Sequence, residues 1–366
     1  MSTNYDEKSI AFSHKTRLKE IDVLKAVAIL SIICGHLVSY THIQKIGLVH
    51  GLIMVTSLGI FSFLSGFSLH YSYGEIRTKA KLVHFIIKRF LRIYPLYLVA
   101  FFTFLICFQY LKIYHNLNLN LSSIFIHSIG AHIALAPEFI NPIFTLWFIG
   151  FIIICYLSYP LLVWNESNKK MILVAATIFF IFLSLRYFFN IIDITFFWFY
   201  PTFVAGVFWS RTKKFIGISD IKLIIILIVI AVITASIFIP YNLHYIWETF
   251  FDTWLGTIFN IVITNIFMLS VISISFWLLK PWINSLSKKV YGIILSIAFS
   301  SYAAYLFHRP IFALMTELTL RLNMTHNFQT FFIIFAGLPL LFVVSYFIQK
   351  VENKIRLFCH KSQKYK

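Results

Sequence analysis

Ten apolar runs, each long enough to cross a lipid bilayer and separated only by short polar segments, dominate this sequence. They cover residues 21–40, 49–71, 91–113, 143–163, 171–189, 194–210, 221–239, 255–279, 290–314 and 328–349. A backbone inside hydrocarbon must satisfy its own N–H and C=O groups, which a helix does within one segment. The expected fold is therefore an all-α polytopic membrane protein with about ten transmembrane helices. Composition agrees: 12% of the residues are charged, against roughly 25% in a soluble domain. Residues 121–135 form an eleventh, ambiguous run with His127 and His132, expected to be interfacial or re-entrant. The first run has charged flanks and no small-residue cleavage site, so it reads as a retained helix. This divides the chain into a cytoplasmic N-terminal segment (1–20), a transmembrane domain (21–349) and a basic cytoplasmic tail (350–366).

The formal net charge of +18 does not point to nucleic acid. The basic residues lie in short segments between apolar runs, where a cytoplasmic excess of Lys and Arg orients a membrane protein. With the N terminus inside, 24 of the 31 Lys and Arg residues fall on the inner side. Lys45, Lys112, Arg186 and Arg321 fall outside, and Lys25, Arg92 and Arg309 lie within or at the ends of helices. One missed helix would invert every later loop and destroy this bias. Both termini are thus expected in the cytoplasm, with the protein in the cell membrane. Cys34, Cys107, Cys155 and Cys359 show no CxxC or Cys/His spacing, so neither a disulfide nor a metal is expected.

Ionisable residues inside membrane helices are costly and are candidates for function. The first run carries two, Lys25 and His36. Their spacing of eleven residues returns to nearly the same helix face about 16 Å further along. Asp22 precedes Lys25 by three residues, a helical pairing distance. Lys25 fits either a snorkelling anchor or a functional cation. His36 fits either an interhelical hydrogen bond or proton transfer near neutral pH.

Three further clusters stand out. Arg89 and Arg92 share a helix face ahead of Pro95, which suits either headgroup anchoring or a phosphate clamp. Ser301, Tyr305 and His308 form one stripe at i, i+4 and i+7, either a polar seam or part of a site. Trp147 falls at the expected outer end of its helix, a normal place for an interfacial aromatic. Ser65 and Gly66 are small enough for close helix packing. The remaining histidines, including His14, His42, His50, His70 and His84, read as interface or loop residues.

Taken in order, these elements resemble the acyltransferase family 3 membrane proteins, a group that includes O-antigen and exopolysaccharide O-acetylases. The resemblance runs through Lys25 and His36; Ser65, Gly66 and Phe67; Arg89, Arg92 and Pro95; Leu146, Trp147 and Phe148; and Ser301, Tyr302, Tyr305, Leu306, His308 and Pro310. It covers residues 17–349. Two positions depart from the pattern. Many members carry Glu five residues after the tryptophan, where this chain has Ile152, so it looks more like the subgroup lacking that glutamate. Lys25 stands where arginine is commoner.

The resemblance implies transfer of an acyl group, acetyl by preference, from cytosolic acyl-CoA to a hydroxyl of a cell-surface or lipid-linked glycan. It implies His36 as general base or acyl relay, His308 and Tyr305 as its catalytic partners, and Lys25, Arg89 and Arg92 as the acyl-CoA-binding cations. The implied partners are acyl-CoA, a carbohydrate or lipid-linked acceptor and membrane lipids. A polysaccharide or lipid exporter without acyl transfer is the alternative, but the sequence has no inverted repeat of the kind many transporters show.

Overall fold

The computed structural model describes residues 18–41, 47–107, 121–135, 143–212, 221–242 and 254–363, and these are helical almost throughout, with no strand among them. In chain order the α-helices are α1 (Lys19–Leu37), α2 (Gly47–Tyr73), α3 (Lys79–Leu105), α4 (Leu121–Ser128), α5 (His132–Leu135), α6 (Trp147–Leu162) and α7 (Asn168–Phe189). They continue with α8 (Ile194–Thr212), α9 (Ile221–Asn242), α10 (Trp254–Trp282), α11 (Lys288–Arg321), α12 (His326–Phe332) and α13 (Leu338–Gln363). A π-helical stretch, Ile333–Gly337, joins the last two.

Each of the ten apolar runs falls on a helix, although part of the run 91–113 extends beyond the described residues. Six stretches among the described residues are long and apolar enough to cross a membrane. They are Lys19–Tyr40, His50–Tyr73, Asn168–Phe189, Leu255–Trp282, Lys288–Arg321 and His326–Arg356. The protein is a helical, multi-pass membrane protein. Helix α3 begins well before its apolar run, because the basic stretch from Lys79 is helical too, with the hydroxyl of Thr78 accepting from the Lys81 N–H as its N-cap. Helix α13 continues through the basic stretch as far as Gln363. Residues 1–17 lie outside the described residues.

Helix α1 packs between α2 and α11, while α11 also meets α3 and α13. This arrangement brings the first, third and eleventh helices around a common interior. Helices α2 and α8 pack together over an extended contact. A Cβ on Gly66 would lie 2.1 Å from the Phe203 carbonyl oxygen, and one on Gly206 would lie 2.0 Å from that of Phe63. Only glycine permits that backbone approach, so the expectation of close packing at Gly66 holds. Ser62 donates to the Phe199 carbonyl at 2.7 Å beside it.

At one end of the bundle the α2–α3 turn meets the α6–α7 turn and the end of α8. Arg77 pairs with Glu75 and Glu166, and Arg211 lies 3.7 Å from Glu75. The hydrogen bond from Arg77 holds the exposed Glu166 carboxyl below the usual carboxylate range. Elsewhere, the α4–α5 unit turns at Gly130, whose φ of 72° suits glycine. It is tied to the α7–α8 loop by Ile192 N–H to the Ala134 carbonyl (3.1 Å) and Asp193 N–H to the Ile133 carbonyl (2.8 Å).

Gly206→Ala is predicted to destabilise the protein by about 1–3 kcal/mol, since a methyl group there drives two backbones apart. A lower Tm of the detergent-solubilised protein checks this; an unchanged Tm contradicts the close α2–α8 contact.

Candidate active site

Three charged residues separated in sequence converge. Helix α1 supplies Lys25 and α3 supplies Arg89 and Arg92; all three line one cavity of about 140 Å³. Helix α11 lines it with Ser301, Tyr302 and Tyr305, and α6 with Phe148, Ile152 and Tyr156. Ile152, the position without a carboxylate, therefore faces this cavity.

Arg89 is 8% exposed. Its guanidinium carbon lies 4.6 Å from the Tyr73 ring centroid, 5.4 Å from that of Tyr156 and 6.0 Å from that of Phe85. Aromatic faces offset part of the cost of desolvating a cation. Its Nε–H has no hydrogen-bond partner among the described residues. Such a group is suited to an anionic oxygen, which forms strong charge-assisted bonds with guanidinium. Arg92 is exposed, one helical turn further on.

Tyr305 separates the cavity from a pair of histidines. Its hydroxyl donates to the Thr145 carbonyl, and its ring lies 6.0 Å from those of both Phe148 and His308. His308 is fully buried and stacks on His36, with ring centroids 5.1 Å apart and an interplanar angle of 27°. His308 Nδ1 lies 2.7 Å from the Tyr305 carbonyl oxygen. A carbonyl only accepts, so this nitrogen carries the proton and the lone pair lies on Nε2. That Nε2 has no partner among the described residues.

His36 has the opposite arrangement. Arg309 Nη2 lies 3.2 Å from His36 Nδ1, and guanidinium only donates. The lone pair of neutral His36 is therefore on Nδ1 and its proton on Nε2. Arg309 occupies the orienting place that a carboxylate holds in many catalytic histidines, but it fixes the reverse tautomer.

Lys25, Arg89, Arg92 and Tyr305 thus share one cavity, while His36 and His308 lie against each other behind Tyr305. Two expectations change. Trp147 is a core residue rather than an interfacial one: it is buried, with its ring 5.6 Å from those of Phe148 and Phe199. Asp22, three residues before Lys25, also accepts a 2.8 Å hydrogen bond from Tyr291 of α11, which leaves the expectation at Asp22 standing. His127 and His132 are not interface or loop residues; both are buried and their rings stack at 4.9 Å. His14 and His42 lie outside the described residues. Arg309 was missed by sequence reasoning. Its only signal was a charge next to His308 inside an apolar run.

A family model described as an acyltransferase domain, that of acyltransferase family 3, matches residues 18–350. The chain belongs to this acyltransferase family. No curated protein and no solved structure matches it. Among the described residues no group of three or more His, Cys, Asp or Glu side chains is placed to hold a metal ion.

Tyr305→Phe removes the hydrogen bond to Thr145, a predicted loss of about 0.5–1.5 kcal/mol. A lower Tm checks it; an unaltered Tm shows that the bond does not hold α11 to the start of α6.

Proposed function

We propose that this protein is an O-acyltransferase of the cell membrane, moving an acyl group, acetyl by preference, from cytosolic acyl-CoA to a hydroxyl of a cell-surface or lipid-linked glycan. The observation that carries the reading is the shared cavity: Lys25, Arg89 and Arg92 line it together with Tyr305, whose ring meets the His36–His308 pair. The proposed topology has ten membrane helices with both termini in the cytoplasm, the arrangement the Lys and Arg bias favours.

In this reading the three cations hold the phosphates of acyl-CoA near the inner surface. Guanidinium forks suit phosphate oxygens, and Lys25 adds a point charge. The acyl chain end then reaches past Tyr305 toward the histidines. His36 acts as general base, accepting the proton of the acceptor hydroxyl as its oxygen attacks the thioester carbonyl. Tyr305 and His308 act as its partners, Tyr305 through packing and His308 through ring stacking. A donor made inside and an acceptor presented outside explain why the site is built between membrane helices.

Purified protein incubated with radiolabelled acetyl-CoA and cell-envelope glycan should move label into the glycan. His36→Ala, with unchanged expression and Tm, should lower that rate by about 10²–10⁴-fold. Glycan flux without label transfer would overturn the assignment. For the donor site, Arg89→Gln should raise KM for acetyl-CoA about tenfold or more, one lost charge-assisted contact. The KM for S-acetylpantetheine, which lacks the phosphates, should stay near that of the unaltered protein. Equal increases for both donors would place the phosphates elsewhere.

A further inference from the structure

Arg309 has no role in the chemistry above, yet its guanidinium is set directly against the proposed base. Its Nη2 donates to His36 Nδ1 at 3.2 Å. Its Nε–H is buried and has no hydrogen-bond partner among the described residues. The ion pairs described elsewhere in the molecule do not include it, so its charge has no carboxylate partner among the described residues. A buried donor without a partner costs about 1–3 kcal/mol. A cation kept without a counter-ion inside a membrane protein is costlier still, and such residues mark function. An interhelical hydrogen bond alone accounts for Nη2 but not for an idle Nε–H on the same guanidinium.

We propose that Arg309 is a catalytic residue, the donor that stabilises the negative oxygen formed during acyl transfer, and that the reacting edge of His36 is Nδ1. The proposal rests on the acyltransferase reading above. Parted by an incoming hydroxyl, the two groups would present a lone pair and a cationic donor side by side, the pairing acyl transfer requires. At rest, Arg309 covers the Nδ1 lone pair.

An acceptor hydroxyl entering between them takes over this contact. Its O–H proton passes to His36 Nδ1 as its oxygen bonds to the thioester carbonyl carbon. The carbonyl electron pair moves onto the oxygen, which accepts from the Arg309 N–H groups. When the C=O bond re-forms, the C–S bond breaks and the thiolate of CoA leaves. The thiolate takes the proton from His36 Nδ1, so the products are the ester and free CoA thiol, with His36 returned to its starting form.

The full-length protein is assayed with radiolabelled acetyl-CoA and cell-envelope glycan. Arg309→Gln should lower kcat by about 10²–10³-fold, the size of effect seen when one oxyanion donor is lost. KM for acetyl-CoA should change by less than about twofold, because the interaction is made in the transition state. Arg309→Lys should retain more activity than Arg309→Gln. Arg309→Ala should regain activity on addition of guanidinium at concentrations that leave Tm unchanged, whereas His36→Ala should not. That rescue separates chemistry from folding, since a merely structural bond between α1 and α11 would not return turnover selectively. A kcat of Arg309→Gln equal to that of the unaltered protein, a higher KM at unchanged kcat, or guanidinium rescue of His36→Ala to the same degree would overturn the proposal. Absence of label transfer by the unaltered protein would instead overturn the acyltransferase reading on which it rests.

Discussion

Holding a guanidinium among apolar helices is expensive, because little water is available to solvate it and every neighbour must be arranged to receive it. Arg89 meets this constraint with three aromatic faces, those of Tyr73, Phe85 and Tyr156, drawn from α2, α3 itself and α6. That one placement requires α2, α3 and α6 to meet at a fixed depth. Lys25 then joins the same cavity from α1, which is itself held between α2 and α11. The glycine contact of α2 with α8 supports the frame from behind. The cavity depends on these contacts together, and no single element contains it.

The histidine pair shows a second consequence of scarce partners. In water, either ring nitrogen of an imidazole can hold the proton. Here the Tyr305 carbonyl selects Nδ1 for His308, while Arg309 selects Nε2 for His36. Two stacked rings of the same residue type therefore present different chemistry, and backbone and side-chain neighbours set the difference. Tyr305 connects both regions: its carbonyl orients His308, its hydroxyl is fixed on Thr145, and its ring walls the cavity.

Much of the fold was legible in the sequence because a membrane helix advertises itself by length and apolarity. As far as they are described, the apolar runs fall on helices for that reason. The start of α3 was not legible, since Lys79, Lys81 and Lys88 interrupt the hydropathy signal without interrupting the helix. Trp147 was misplaced because the end of an apolar run normally marks an interface, whereas a 3₁₀ turn, Ile143–Leu146, leads directly into α6 and leaves the indole in the core. Lys25, Arg89 and Arg92 were expected to act together and they line one cavity, whereas Tyr305, expected as a partner of His36, lines that same cavity. The pairing of Arg309 with His36 was not anticipated, because 273 residues separate them and a charge on α11 does not announce its partner on α1. The burial of His127 and His132 was hidden similarly: a short run with polar flanks resembles an interfacial segment until its tie to the α7–α8 loop is seen.

The cavity lined by Lys25, Arg89, Arg92 and Tyr305 is proposed to receive acyl-CoA, with the acyl end directed at the histidine pair behind Tyr305. The most direct test of this central claim is an experimental structure of the protein with a non-hydrolysable acetyl-CoA analogue. Phosphate oxygens are expected within hydrogen-bond distance of Arg89 and Arg92, with the carbonyl oxygen replacing the thioester's directed at Arg309 beside His36. An analogue bound with its phosphates away from Lys25, Arg89 and Arg92, or its acyl end away from His36, would contradict it.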